Sequence, residues 1–509
     1  MNNLLFISLL LSFCASSCGN DIRYRDLKIT TNDTDSRNKL VADSLPNIAN
    51  GLLIIEQDYD LGGESIHIPE GTRLVFEGGR LLNGTISGRI RNEYLLPEWF
   101  GAIGDNIVDD TRALECLLQS SIDTRTKVLL KGQYKITRPI TFRKLNDDAS
   151  AEILPLSVNI EGCSNSQITS DHRNQLSNIA DAAIIAYNLK DSEAALNFLG
   201  NSVPAAQSNM LKNFCIFLDR RTCSELSFCL RIGNADNFYA EKMDFLGYNN
   251  VIIRSGEVDD EDDVGFIFAR GTFQNCRFRT WEYLDVSRNK QDSKTLFSNK
   301  GRFGFCIINE RFLKYTNIGK SSVYDSIKFN SCHFVGSCYL CGNTSFDMCM
   351  WETPGVYKPL VEKDTRFRYL PFIDTSISVF IYRGNVVFNN CHFEDCLKPI
   401  FVYNTAKSTD YQQLLVKIND CTFVPWLNHT YQLNGNKLKP LYLVKASKSK
   451  DATSEYKIHI EGGQVLHASD RMTPDIHFIN EGAKWFYVER VMGTDAKNCL
   501  GDNIKFIGL

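Results

Sequence analysis

Just past two copies of a recurring segment carboxylates adjoin aromatic residues: Glu394 and Asp395 follow Phe393, and Glu282 follows Trp281. A carboxyl group set beside a polarised bond can act as general acid or base. An indole or phenol ring offers a flat apolar surface on which a sugar face can stack, and Trp281, Trp426 and Tyr248 are the rings so placed. The same rings fit equally a role in packing beneath long loops. His333 and His392, two of eight histidines, hold one equivalent position in two copies of a recurring segment, which fits either a solvated surface stack or a base. A denser group, Glu257, Asp259, Asp260, Glu261, Asp262 and Asp263, supplies the oxygen donors calcium prefers. Its spacing is not that of an ordered calcium loop, so a solvated acidic loop fits as well. Calcium is the one cofactor with a candidate ligand set here, Asp259, Asp260, Asp262 and Asp263.

The recurring segment is what would position these groups. Phe273-Gln274-Asn275-Cys276-Arg277-Phe278 recurs as Phe329–Phe334, Phe388–Phe393 and Ile418–Phe423, with a weaker copy at Ala240–Phe245. Looser relatives surround Cys163, Cys215, Cys306 and Gly463, and the steps between successive centres (52, 28, 33, 30, 26, 59, 30 and 42) lie mostly near 30 residues or twice that. Such a period is that of a solenoid. Within each copy apolar and polar residues alternate, as in a half-buried strand, so the cysteine and the phenylalanine two residues later share the inward face. Stacked about 4.8 Å apart, Phe245, Phe278, Phe334, Phe393 and Phe423 are expected to form a column, and burying each ring contributes on the order of 1.5–3 kcal/mol. Asn and Asp at the strand ends suit tight corners. The cysteines then act as small buried apolar residues rather than as metal ligands or disulfides. Tyr248, Trp281, Ser337, Cys396 and Trp426 each lie five residues past a centre, just beyond the strand, where a groove can form.

Composition agrees with one elongated body. The chain has 509 residues, 23% of them charged, and its 13 prolines are scattered, so no linker or low-complexity block divides it. A net charge of -4 with well-mixed signs leaves no basic stripe for a phosphate backbone, which argues against a nucleic-acid partner. No phosphate-cradling loop, serine-nucleophile elbow or nicotinamide fingerprint occurs.

At the N-terminus an apolar run from Leu4 to Phe13 has the length of a signal-peptide core and is too short to span a bilayer. It leads into Ala15-Ser16-Ser17-Cys18-Gly19, which resembles the lipobox of bacterial lipoproteins. The resemblance implies removal of residues 1–17, lipidation of Cys18 and a place in the bacterial cell envelope, at the outer membrane, held through the lipid alone. Residues 18–50 are polar and read as a tether.

Further along, Phe100-Gly101-Ala102-Ile103-Gly104-Asp105 runs into Asp109-Asp110-Thr111-Arg112-Ala113. This stretch resembles the N-terminal motif of the pectate-lyase superfamily, in its rhamnogalacturonase and epimerase-like branch. The resemblance implies an all-β right-handed parallel β-helix over residues 96–509, with a short capping α-helix whose apolar stripe is Ala113, Leu114, Leu117 and Leu118. Residues 51–95, where Ile66–Gly79 alternates around Pro-Gly turns, are expected to add preliminary coils. Asp105, Asp109 and Asp110 fit a turn and a helix cap better than catalysis. Lyases, hydrolases, epimerases and non-catalytic surface proteins share this superfamily. The GHG and NTD elements of its polygalacturonase-type hydrolases and the RxPxxR element of its calcium-dependent lyases are absent here. The resemblance therefore implies polysaccharide as partner, with a lyase or glycoside hydrolase of open specificity and a non-catalytic glycan-binding or structural protein as the alternative.

Overall fold

The computed structural model describes residues 51–142, 157–163, 182–191, 193–198, 209–219, 221–224, 227–232, 237–247, 249–254, 270–280, 303–308, 326–352, 377–394, 396, 398–404, 414–424, 432–433, 436–437, 441–466 and 474–508. They form two compact units, residues 51–103 with 112–129, and residues 104–111 with 130–508. The architecture is an all-β, right-handed parallel β-helix with a single long α-helix among the described residues.

In the first unit the strands Leu52–Ile55, Tyr59–Asp60 and Ser65–His67 pair in parallel with Arg73–Phe76, Leu81–Leu82 and Thr85–Ser87, which makes two short stacked coils. Alternation sends Leu53, Ile55, Ile66, Leu74, Leu81 and Ile86 inward. Helix α1 (Thr111–Thr124) buries Leu114, Leu117 and Leu118, while Ala113 lies at the margin of the stripe. Its Ser120 hydroxyl donates to the Cys116 carbonyl at 2.7 Å and accepts the Ile86 amide at 3.0 Å, so the helix satisfies a backbone donor of the second coil.

The second unit has three faces. The first runs from Asp105–Asp109 and Gln133–Ile136 to Gln464–Val465, and the second from Ile140–Phe142 to Cys499–Gly501. The third runs from Asn159–Gly162 to Ile504–Ile507. Every pairing along them is parallel, and each coil visits the faces in that order.

The corner from the third face to the first is one residue in the left-handed region. Asn213, Lys242, Asn275, Ser331, Met348, Asn390, Asp420, Gly462 and Arg490 occupy it with φ between 51° and 66°. Asn, Asp and Gly suit this conformation; Lys242, Met348 and Arg490 do not. What holds them there is a main-chain ladder: Asn275 N donates to Asn330 O, Ser331 N to Asp347 O, Met348 N to Asn389 O and Asn390 N to Asn419 O, at 2.9–3.0 Å. Forfeiting one such bond would interrupt the continuous ladder that joins the coils, a larger cost than the local strain.

Inside, the expected ring column is present and continuous: Phe245–Phe278 5.2 Å, Phe278–Phe334 4.8 Å, Phe334–Trp351 4.9 Å, Trp351–Phe393 4.7 Å and Phe393–Phe423 5.1 Å between centroids. A second column of Phe273, Phe329, Phe346 and Phe388 meets it edge-on, as at Phe334–Phe346 (5.8 Å, 79°). Cys276, Cys332, Cys349, Cys391 and Cys421 form the buried column expected of them. No disulfide joins the described cysteines, and their thiols lean on main-chain carbonyls, as Cys391 does on Asn389 at 3.3 Å. Burial pushes the nearby Cys338 thiol up to about 12, which keeps it a neutral, inert group at ordinary pH.

Three assignments of the repeat change. Phe346–Trp351 is a full copy that the spacing hides, because its centre, Cys349, follows Cys332 after a short connection and its last ring is Trp rather than Phe. Cys306 is not a centre, since its strand Phe303–Ile308 belongs to the second face. Register makes Phe214, not Cys215, the equivalent of Met243 and Cys276, because Cys215 pairs with Asp244 on the outward side.

No described helix is long and apolar enough to cross a membrane. Met348 is 58% exposed, so changing it leaves the core intact and tests the corner alone. Met348→Asn is expected to raise the stability of the β-helix by about 0.5–1 kcal/mol, read from equilibrium unfolding.

Candidate functional site

On the first face the residues flanking each inward ring point outward, and the pairing register sets them in two columns. One column holds Asp244, Arg277, His333, Met350, His392 and Thr422; the other holds Leu246, Arg279, Val335, Glu352, Glu394 and Val424. Towards the N-terminal side the same outward positions are apolar and buried, with Ala183, Ile185, Cys215, Phe217 and Leu246 packed together against Tyr187. The polar strip begins where that cluster ends.

Its first element is an ion pair. The Arg279 guanidinium grips the Asp244 carboxylate with two parallel bonds, Nε–Oδ1 3.1 Å and Nη2–Oδ2 2.5 Å, and Asp244 is 1% and Arg279 8% exposed. The planar fork of arginine matches a carboxylate, which is why a pair this buried is an Arg pair. Arg277, half exposed, stands beside it without an ion-pair partner among the described residues.

The second element is a set of two carboxylates and two imidazoles. Glu352 and Glu394 are in register on neighbouring coils, so their backbones lie about 4.8 Å apart. Glu394 Oε2 lies 3.2 Å from His392 Nε2, and Glu352 Oε2 lies 3.5 Å from His333 Nε2. All four side chains are partly exposed. Met350 separates the two imidazoles, so the histidines do not stack on one another as the sequence suggests. Two carboxyl groups on neighbouring coils are the side-chain pair that general acid and base chemistry on a glycosidic bond calls for. Each carboxylate can also help to orient the imidazole beside it.

Of the residues singled out from sequence, Glu394, His333 and His392 fall in this strip. Asp395, Glu282, Trp281, Trp426 and Tyr248 lie outside the described residues, as do Cys18 and the acidic loop with Asp259, Asp260, Asp262 and Asp263. At the two described positions five residues past a centre, Ser337 and Cys396 are buried in the corner leading to the second face, so that position does not line an open groove there. Among the described residues no group of three or more His, Cys, Asp and Glu side chains is arranged to hold a metal ion. Glu352, Asp244, Arg277 and Arg279 were missed, and the signal was present: aligning Phe346–Trp351 with the other copies puts Glu352 where Glu394 stands.

The acidic motif is structural. Asp105 accepts the amides of Ile107 (2.8 Å) and Val108 (3.0 Å), Asp110 accepts the Gly104 amide (3.1 Å), and Asp109 accepts the Thr111 amide (3.0 Å) and the Thr137 hydroxyl (2.6 Å). Burial pushes the Asp109 carboxyl up, but the bonds from Thr111 and Thr137 outweigh it and hold the group below its ordinary value of 3.8.

No family model matches this chain, and no curated protein sequence does. Its structural neighbours are parallel β-helix proteins. An endo-xylogalacturonan hydrolase from Aspergillus tubingensis aligns over 81% of this chain and 95% of its own, with 10% identity and a TM-score of 0.43. The mannuronan C-5 epimerase A-module of Azotobacter vinelandii aligns over 82% and 99%, with 11% identity and a TM-score of 0.38. A protein of Geobacillus virus E2 aligns over 79% of this chain at 14% identity and a TM-score of 0.38, and the chain spans 62% of its length. These likenesses concern the fold alone.

Two outcomes follow from the geometry. Arg279→Met strips a buried carboxylate of its guanidinium and is expected to cost about 3–5 kcal/mol in equilibrium unfolding, with part of the loss restored by Asp244→Asn in the same chain. Asp109, depressed in the folded state, lends stability that is fully present above its ordinary value of 3.8 and is lost as pH falls through the folded value. The gap in thermal midpoint between the parent and Asp109→Asn should therefore be wide at neutral pH and close in acid.

Proposed function

We propose that this chain is an exported, lipid-anchored β-helix protein that cleaves polysaccharide on the outward strip of its first face, as a glycoside hydrolase or a lyase. The observation that carries this reading is the pair Glu352 and Glu394, in register on neighbouring coils and each beside an imidazole. In a hydrolase, one carboxyl would deliver a proton to the leaving glycosidic oxygen while the other activates water or attacks the anomeric carbon. In a lyase, one of the same bases would take the proton next to a uronate carboxylate, the freed electron pair would form a carbon–carbon double bond as the glycosidic C–O bond breaks, and the leaving oxygen would take a proton from the other carboxyl or from water; Arg277 would supply positive charge near the uronate carboxylate. The fixed Arg279–Asp244 pair below adds a rigid edge to the strip.

Export and anchoring rest on the apolar run Leu4–Phe13 and the cysteine at Cys18, which would carry the lipid and hold the body at the bacterial outer membrane. A polysaccharide partner suits that location. Calcium belongs to the reading only through Asp259, Asp260, Asp262 and Asp263, whose oxygens are of the kind it takes.

A second reading is favoured by one observation. On the third face His459 Nε2 lies 3.3 Å from Glu489 Oε1, an imidazole–carboxylate pair much like the two on the first face. Such pairs thus also arise where coils merely stack, and a non-catalytic glycan-binding or structural protein would show the same contacts.

Residues 19–509, incubated with a polysaccharide panel with and without calcium, separate the readings. Unsaturated products mark a lyase, and new reducing ends without them mark a hydrolase. Glu394→Gln and Glu352→Gln are each expected to lower that turnover by roughly 100-fold or more, the range for loss of a general acid or base. Silence of the parent on every glycan would leave the binding reading.

A further inference from the structure

The third face carries, in its last coils, a patch that no part of the proposed strip uses. Register places Leu415, Lys457 and Trp485 in one outward column, and Lys417, His459, Tyr487 and Lys505 in the next. Trp485 is 39% exposed, an unusual setting for a tryptophan on a regular strand. Lys484 Nζ lies 4.5 Å from the centre of its ring. Lys457 and Lys505 bring their ammonium groups to 4.9 Å and 5.6 Å from the Tyr487 ring, and His459 meets that ring edge-on at 5.9 Å.

The charges do not cancel. Of the nearby carboxylates, Glu455 is taken by Lys484 at 2.5 Å and Glu461 by Arg490, which leaves Glu489, 3.3 Å from His459, against the three lysines. Lys417, Lys457 and Lys505 have no carboxylate within ion-pair distance among the described residues. Two of these ammonium groups, Lys457 and Lys505, thus stand over the Tyr487 ring, and Lys417 follows His459 along the same outward column. Their spacing is set by the main-chain ladder, which carries the lysines of neighbouring coils at steps of about 4.8 Å. Aromatic side chains prefer the apolar face of a pyranose ring, and ammonium groups prefer carboxylate or sulfate, so the ligand that meets both demands is an anionic glycan. A neutral glycan would leave the lysines unanswered. A polypeptide acid would leave the exposed indole unanswered.

We infer that the outward surface formed by Lys417, Lys457, Trp485, Tyr487 and Lys505 is a second glycan-binding site, specific for a uronate- or sulfate-bearing polysaccharide. It shares the ligand class with the proposed function but none of its residues. It lies on a different face from Glu352 and Glu394, and its purpose is to hold the polymer rather than to react with it. Retention of a long anionic chain at a surface distant from the cleaving strip raises the local concentration of its remaining segments.

The test is binding of polygalacturonate to mature full-length protein by affinity electrophoresis and titration calorimetry, with neutral galactan as the reference polymer. Glu352→Gln/Glu394→Gln protein is included so that cleavage does not confuse the readout. The Lys457→Ala/Lys505→Ala double variant and, separately, Trp485→Ala are each expected to weaken polygalacturonate binding roughly tenfold, while exposed Lys131→Ala leaves it unchanged. Binding should also fall with added salt in the parent and fall less in the lysine variant. These substitutions are on the surface, and an unchanged thermal midpoint confirms that the fold is retained. Parent-like binding by both platform variants would overturn the inference, as would equal affinity for the neutral polymer or no affinity for the anionic one. If binding is lost only in Glu352→Gln/Glu394→Gln, the first-face site stands and the platform falls. If binding is lost only in the platform variants while no glycan is cleaved, the platform stands and the catalytic reading falls.

Discussion

Equivalent residues in successive coils of this protein are held in register by main-chain hydrogen bonds, and nearly everything else in it follows from that constraint. A coil step of about 4.8 Å falls within the centroid separation of offset-stacked aromatic rings, so a phenylalanine in one coil favours a ring in the next. The column from Phe245 to Phe423 is the result, and Trp351 takes its place in it without a break because an indole has the same thickness as a phenyl ring. The cysteine column obeys the same rule with smaller side chains. Its thiols are surrounded by carbonyls and rings, and there they contribute volume rather than reactivity.

The constraint also explains residues that local preference would forbid. Met348 and Arg490 sit in the left-handed region beside Asn390 and Asp420 because the corner amide must reach the carbonyl of the adjoining coil. Strain at one residue is the smaller cost when the alternative is a lost bond in a continuous ladder. On the outside, register acts on charges in the same way as on rings. It sets Glu352 against Glu394, and it gathers Lys457 and Lys505 around Tyr487 from two separate coils. A stacked solenoid therefore builds surface chemistry by repetition, and a single substitution per coil is enough to change a face from apolar, as at Phe217 and Leu246, to charged, as at Arg279 and Glu352.

The β-helix itself was legible in the sequence because its signal is periodic and local: a six-residue pattern of inward and outward residues, bent at a corner residue in its middle, repeats often enough to survive loose copies. The role of Asp105, Asp109 and Asp110 was legible for a similar reason, since turn and cap bonds reach only a few residues along the chain. Glu394 was found because it directly follows a clear copy of the pattern. Glu352 was not, because its copy ends in Trp and follows its predecessor after an uncommonly short connection. The supposed stack of His333 on His392 failed for the same reason, as the hidden coil inserts Met350 between them.

By itself, then, the sequence determined the repeating unit, its inward columns and its corners, because each of these depends on neighbours a few residues away. Which outward side chains meet was decided only by the tertiary structure. Connections between strands range from a single residue to long excursions, and spacing along the chain says little about distance across a face. The Arg279 grip on Asp244, the juxtaposition of Glu352 with Glu394 and the lysines around Tyr487 all join residues from different coils. They exist because parallel pairing brings those coils into register, and that pairing is a property of the folded chain alone.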